Sequence, residues 1–193
     1  SISPNIIFRG INAWLKAIPE IKKITSRPLI LGRSESTKIL RDKLYTDLNE
    51  NCEYVYSATL KYDCCFEDIT IIKNLILKNN CDSIIAAGGG KVLDAGKFIA
   101  ESLSIPVITV PLSASTCAGW TSLSNIYTNK GQFIKDVKLK ACPQILVFDY
   151  GFIKSAPRRT LASGIADALA KWYESSLTSS MVEDGLVQQA VQI

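Results

Sequence analysis

Histidine is absent from all 193 residues. That excludes a Ser-His-Asp triad, a Cys-His dyad and any imidazole-based metal site built from this chain alone. No Cys-x-x-Cys pair occurs. The six cysteines stand at 52, 64, 65, 81, 117 and 142, and no N-terminal segment has the basic, apolar, small-residue layout of a signal peptide. The thiols are therefore expected to be reduced and the location cytoplasmic. No apolar run approaches the ~20 residues of a membrane span, so no membrane partner is expected. Gly at 11 and Pro at 7 are too few for collagen-like or low-complexity character. One-signed charge is also scarce: 22 Lys+Arg face 18 Asp+Glu, for a formal net charge of +4. The excess sits in residues 1–50, and no basic stripe interleaves with aromatics, so no nucleic-acid partner is expected.

Apolar residues are plentiful at 47%, with 21% charged. This is the balance of a globular core. The apolar runs alternate with amphipathic stretches. PLILG (28–32) reads as a short buried strand, 36–48 as a helix with Ile39, Leu40, Leu44 and Leu48 at helical spacing, and CEYVYSA (52–58) as a strand. Residues 66–80 form a second helical pattern, and DSIIAAGGG (82–90) a strand running into a glycine turn. Residues 91–103 are helical and IPVITVP (105–111) is a strand again. Strand–helix alternation with short turns predicts a parallel sheet wrapped by helices. Beyond a small-residue loop at 113–122, residues 123–139 read as a hairpin around Asn-Lys-Gly and QILVFD (144–149) as one more strand. From Ala156 the chain reads as helical, with Leu161, Ile165, Leu169, Trp172 and Tyr173 on an apolar face and a second helix starting near Met181.

Gly88-Gly89-Gly90-Lys91 lies between a strand and a helix. Glycines there let a ligand approach the backbone, and the helix start offers unpaired N–H groups to a phosphate. Neither a Walker loop nor G-x-G-x-x-G is present, so a plain βα turn stays open beside phosphate binding. Asp94 and Lys97 read most simply as an i,i+3 pair on a solvated helix face. The hydroxyl-rich loop from Ser113 suits nucleotide contacts or an ordinary polar turn. Cys117 within it fits a small buried thiol better than a reactive one.

Four segments, GGGKVLDAGK (88–97), VPLSASTCAGWTSLSNIYTNKGQF (110–133), PQILVFDYGFIKSAPRR (143–159) and GIADALAKWYE (164–174), occur in order. Together they resemble the glycerol dehydrogenase branch of the iron-containing alcohol dehydrogenase superfamily. The resemblance implies an α/β domain at 1–154, a Rossmann-like parallel sheet with helices on both faces and a β-hairpin insertion. It also implies the start of an all-helical domain at 155–193, cut off before its end. It implies an NAD- or NADP-linked, metal-dependent oxidation of a small alcohol or polyol, with Zn or Fe as the divalent metal. A homo-oligomer is expected of the full-length protein. Gly89, Gly90 and Lys91 would face the pyrophosphate, with Asp94 nearby. Leu112, Ser113, Ala114, Ser115, Thr116, Thr121, Leu123 and Tyr127 match the cofactor-contacting loop and hairpin, and Asp167 matches a metal ligand.

Three departures accompany the resemblance. The family's two histidine ligands fall beyond this chain. Its glycerol-contacting aspartate is replaced by Cys117, a poor acceptor for substrate hydroxyls. The acidic residue expected after the second strand is replaced by Arg33, with Ser34 and Ser36 beside it, a group suited to the 2′-phosphate of NADP. Ser36 as a mere helix cap is the simpler alternative. A dehydroquinate synthase-like lyase and a non-catalytic nucleotide-binding module are the rival functions. With one carboxylate and no histidine to hold a catalytic metal, the purified 193-residue chain is expected to show no alcohol oxidation with NAD or NADP. Metal-dependent reduction of either cofactor by this chain would contradict that.

Overall fold

The computed structural model describes residues 3–179, and the helix expected near Met181 lies outside them. Six parallel strands form one sheet: β1 (Ile6–Gly10), β2 (Pro28–Gly32), β3 (Tyr56–Thr59), β4 (Ser83–Gly88), β5 (Val107–Pro111) and β8 (Ile145–Asp149). Their spatial order is β1-β8-β5-β4-β2-β3. A separate antiparallel pair, β6 (Leu123–Tyr127) with β7 (Phe133–Lys138), is the expected hairpin. The helices are α1 (Ala13–Ile24), α2 (Lys38–Asn49), α3 (Phe66–Lys78), α4 (Gly90–Leu103), α5 (Tyr150–Ser155) and α6 (Arg158–Ser179). No helix among the described residues is long and apolar enough to cross a membrane.

The period of two in each strand decides which layer a residue joins. Leu29, Leu31, Ile84 and Ala86 face one way and pack with Ile69, Ile72 and Ile76 of α3 and Leu93 and Ile99 of α4. Ile30, Ile85, Ala87, Ile108 and Val147 face the other way, onto Trp14 and Ile21 of α1 and Leu44 and Leu48 of α2. Helices thus cover both faces, and the strands read as near-continuous apolar runs because neither face meets water.

Two elements precede the first one read from periodicity. The left-handed Asn12 starts α1 without a side-chain cap, and Pro19 lies inside the helix. Its cap is tertiary instead: Asp149, at the end of β8, accepts a hydrogen bond from the Trp14 N–H at 3.0 Å. The same carboxylate caps α5 through Gly151 N at 2.8 Å. Two further boundaries shift. β3 begins at Tyr56 rather than Cys52, and the expected helix at 36–48 opens as a 3-10 turn, Glu35–Thr37, capped by Ser34 rather than Ser36. The expected apolar face of α6 is present but uncovered, with Leu161, Ile165, Leu169, Trp172 and Tyr173 all exposed.

Helix α4 lies unusually close to β4. A Cβ placed on Gly96 would stand 2.5 Å from Ala86 Cβ. Gly96→Ala should therefore lose about 1–2 kcal/mol net, overpacking outweighing the gain in helix propensity. A lowered urea midpoint at unchanged slope is the expected reading; an unchanged or raised midpoint would show that the contact is slack.

Candidate functional site

β2 and β4 are neighbours, but the chain leaves them in opposite directions across the sheet, β2 to β3 on one side and β4 to β5 on the other. Such a reversal opens a crevice at the strands' carboxyl ends. Here that crevice is a cavity of about 250 Å³ lined by Arg33, Ser34 and Thr37 from the β2 end and Gly88, Gly89, Gly90, Lys91 and Val92 from the β4 end. A second cavity of about 280 Å³ shares Thr37 and Gly89 with it and adds Ser36, Leu40, Leu112, Ser113, Arg159 and Thr160.

Each glycine of the turn has its own reason. A Cβ on Gly88 would meet Val92 at 2.9 Å, and one on Gly90 would meet Thr116 Cγ2 at 3.1 Å. Gly89 is different: a Cβ there would meet only Ser113 Oγ at 3.8 Å, so open space lies before it. Gly89 caps α4 without any side-chain bond, and its carbonyl takes the Val92 and Leu93 N–H groups at 3.0 and 3.1 Å. The first N–H groups of an α-helix have no intrahelical acceptor. A 14-residue helix therefore points its positive end into an uncluttered cradle.

On the β2 side, Arg33 is exposed and donates from Nε to the Tyr62 carbonyl at 2.7 Å. This fixes the stem and leaves the terminal N–H groups of the fork uncommitted to that bond. Behind it, the buried Arg41 fills the space over Gly32 and donates to the Ser34 carbonyl and Thr37 Oγ1. Burial holds its pKa below the usual arginine value. Lys91 pairs with the nearly buried Asp63 and lies over the Tyr127 ring, 5.3 Å from its centroid.

Asp94 and Lys97 are not on a solvated face. Their side chains are 8% and 1% exposed and pair at 3.1 Å. Burial raises the Asp94 carboxyl's pKa and lowers that of the Lys97 ammonium, each opposed by the partner's charge. Thr121 and Leu123 lie against this pair rather than in the crevice.

A third cavity, about 450 Å³, is lined by Ala114, Thr116, Cys117, Trp120, Phe148, Gly164, Asp167, Ala168 and Lys171. It brings the expected substrate residue Cys117 and the expected metal residue Asp167 into one cleft. Cys117 is exposed, against the expectation of a buried thiol. Trp120 and Phe148 form an aromatic wall, ring centroids 5.0 Å apart. Ser115 stands beside the second cavity, its hydroxyl 3.1 Å from that of Ser113. Among the described residues no group of three or more His, Cys, Asp or Glu side chains could hold a metal ion.

The sequence alone does not mark Asp63, Arg41, Arg159 or Lys171 as site residues. Asp63 lies in KYDCCFED, where nothing in the spacing marks it, and the other three lie on α2 and α6, so their roles depend on what the fold brings against those helices.

The family description "Iron-containing alcohol dehydrogenase" matches residues 4–150. The chain belongs to that family. It is 37% identical over 197 residues to an uncharacterized oxidoreductase of Synechocystis, covering 100% of this chain and 49% of the relative. To a glycerol dehydrogenase of Escherichia coli it is 31% identical over 173 residues, covering 90% and 46%. The crystal structure of glycerol dehydrogenase from Schizosaccharomyces pombe superposes with a TM-score of 0.80 at 31% identity, covering 90% of this chain and 44% of that one. The chain thus spans about half the length of the relatives it matches.

The cleft depends on one close approach. A Cβ on Gly164 would fall 1.7 Å from the Ala114 carbonyl oxygen, so α6 sits directly on the 113–116 loop. Gly164→Ala should push the two apart and speed amide hydrogen exchange through residues 113–118 while β4 keeps its protection. Unaltered exchange in the loop would mean that this contact does not hold it.

Proposed function

We propose that this chain is the cofactor-binding part of a metal-dependent, NAD(P)-linked alcohol or polyol dehydrogenase. Residues 1–154 hold the dinucleotide, and 155–193 begin a helical domain that closes the substrate cleft. The observation that carries this reading is the open cradle at Gly89, joined to two adjoining cavities at the carboxyl ends of β2 and β4. The nicotinamide supplies the hydride acceptor when bound. The chain's own part is to seat and orient it. Gly89, Gly90 and Lys91 receive the pyrophosphate at the helix start. Arg33, Ser34 and Ser36 receive the adenosine end, while Leu112, Ser113, Ala114, Ser115 and Thr116 guide the molecule toward the cleft of Cys117. Asp94, Thr121, Leu123 and Tyr127 support these groups from behind.

Asp167 fits as one ligand of the family's divalent metal, Zn or Fe. The described residues do not complete a set around it. The small-molecule alcohol would meet a thiol where a carboxylate serves glycerol in the resembled family. The reading is tested on the full-length protein by calorimetric titration with NAD and NADP and by cofactor reduction with a panel of alcohols, including glycerol. Binding of a dinucleotide with alcohol-dependent reduction supports it; absence of dinucleotide binding overturns it.

Cofactor choice rests on Arg33. With Nε fixed by Tyr62, the remaining fork and the Ser34 and Ser36 hydroxyls suit a 2′-phosphate dianion. Arg33→Asp should weaken NADP binding about 10- to 100-fold, the worth of a charge-assisted bond of roughly 1.5–3 kcal/mol, and leave NAD binding nearly unchanged. Equal losses for both cofactors, or none for either, would contradict the assignment.

A further inference from the structure

The ammonium of Lys97 is buried among oxygens from a different part of the chain. It donates to the Ala118 carbonyl at 2.7 Å, to the Leu123 carbonyl, and to the carbonyl and hydroxyl of Thr121 at 3.2 Å each, and it pairs with Asp94 at 3.1 Å. An ammonium carries three protons, so acceptors outnumber donors. A buried charge is tolerated only with such compensation. This cage exists only while residues 118–123 keep their path.

Three other carbonyls of this segment are held as well. That of Cys117 accepts from Trp120 N at 2.9 Å, that of Gly119 from Thr109 Oγ1 at 2.9 Å, and that of Ser122 from Leu139 N at 2.8 Å. Ser124 Oγ donates to the Asp94 carbonyl at 3.0 Å, tying the start of β6 to the same turn of α4. One helix therefore offers its N-terminus to the dinucleotide and, two turns later, clamps the loop that carries Cys117 and Trp120.

We propose that Lys97 is a positioning residue, a fixed cationic template that sets the path of residues 117–123 on α4 and thereby places Cys117 and Trp120 on the cleft wall relative to the cofactor seat at Gly89–Lys91. Its meaning for catalysis rests on the dehydrogenase reading; its test does not.

The test uses the full-length protein and two probes: alkylation of Cys117 by iodoacetamide, mapped by mass spectrometry, and calorimetric binding of ADP. Lys97→Met keeps the stem and removes the charge. It should change the Cys117 alkylation rate at least about threefold, since the freed carbonyls and Asp94 lose their common partner and the exposed thiol moves relative to its neighbours, with ADP affinity within about twofold. Lys97→Ala should behave likewise, and added ethylammonium should restore the rate of the unmodified protein. The ion has a way in through the 230 Å³ cavity that Lys97 lines with Ala100, Leu139 and Cys142. A packing role predicts the reverse, normal alkylation in Lys97→Met and no rescue by the amine, and either result overturns the proposal. Should Lys97→Met prove insoluble, Asp94→Asn decides: an alkylation rate changed at least about threefold supports the template, and an unchanged rate overturns it. Failure of ADP to bind the unmodified protein would overturn the dehydrogenase reading while leaving the alkylation result to judge Lys97.

Discussion

The close seating of α4 on β4 is the constraint on which the site depends. Gly96 lets the helix settle against Ala86, and Gly88, with Val92 packed over it, lets the strand turn into the helix within two residues. That geometry aims the helix start at the crevice between the β2 and β4 ends, and its charge falls where a phosphate would sit. The same helix carries Lys91 to Asp63 and Tyr127, and Lys97 to the loop beyond β5. A shift of α4 along the sheet would move the proposed anion seat, the loop and the cleft wall together.

Electrostatics at the two ends of the crevice differ in kind. At the β2 end, Arg33 is exposed and only its Nε is tied, so its charge can meet a ligand. Arg41 beneath it spends its charge on the turn's own oxygens. At the β4 end the cradle is made of backbone alone, and the nearest ammonium, Lys91, is already matched by Asp63. Backbone dipoles and a single exposed guanidinium would thus share the attraction of an anion, which suits a ligand with phosphates at two separate points.

Much of this arrangement was legible in the sequence because the strands are buried on both faces. PLILG and SIIAAG are continuous apolar runs that only a covered parallel sheet accommodates, and the glycines after Ala87 mark the strand's exit into a helix. The hairpin announced itself by Asn-Lys-Gly. What escaped depends on partners distant in sequence. Helix α1 holds a proline and is capped by Asp149, 135 positions from the Trp14 N–H it accepts. Lys97, three residues after Asp94, has the spacing of an ordinary surface pair; its burial follows from an oxygen cage supplied by residues 118–123. The 3-10 turn capped by Ser34 arises because Arg41 binds the Ser34 carbonyl and holds the turn shut.

The proposed function requires the start of α4 to seat the phosphates of a dinucleotide. The most direct measurement is a backbone amide NMR titration of the isotopically labelled protein with ADP. Saturable shifts are expected at Gly89, Gly90 and Lys91, with smaller ones at Arg33 and Ser34, and none at Ser104 and Ile105 at the opposite end of the helix. Shifts centred elsewhere, or none at Gly89–Lys91, would contradict it.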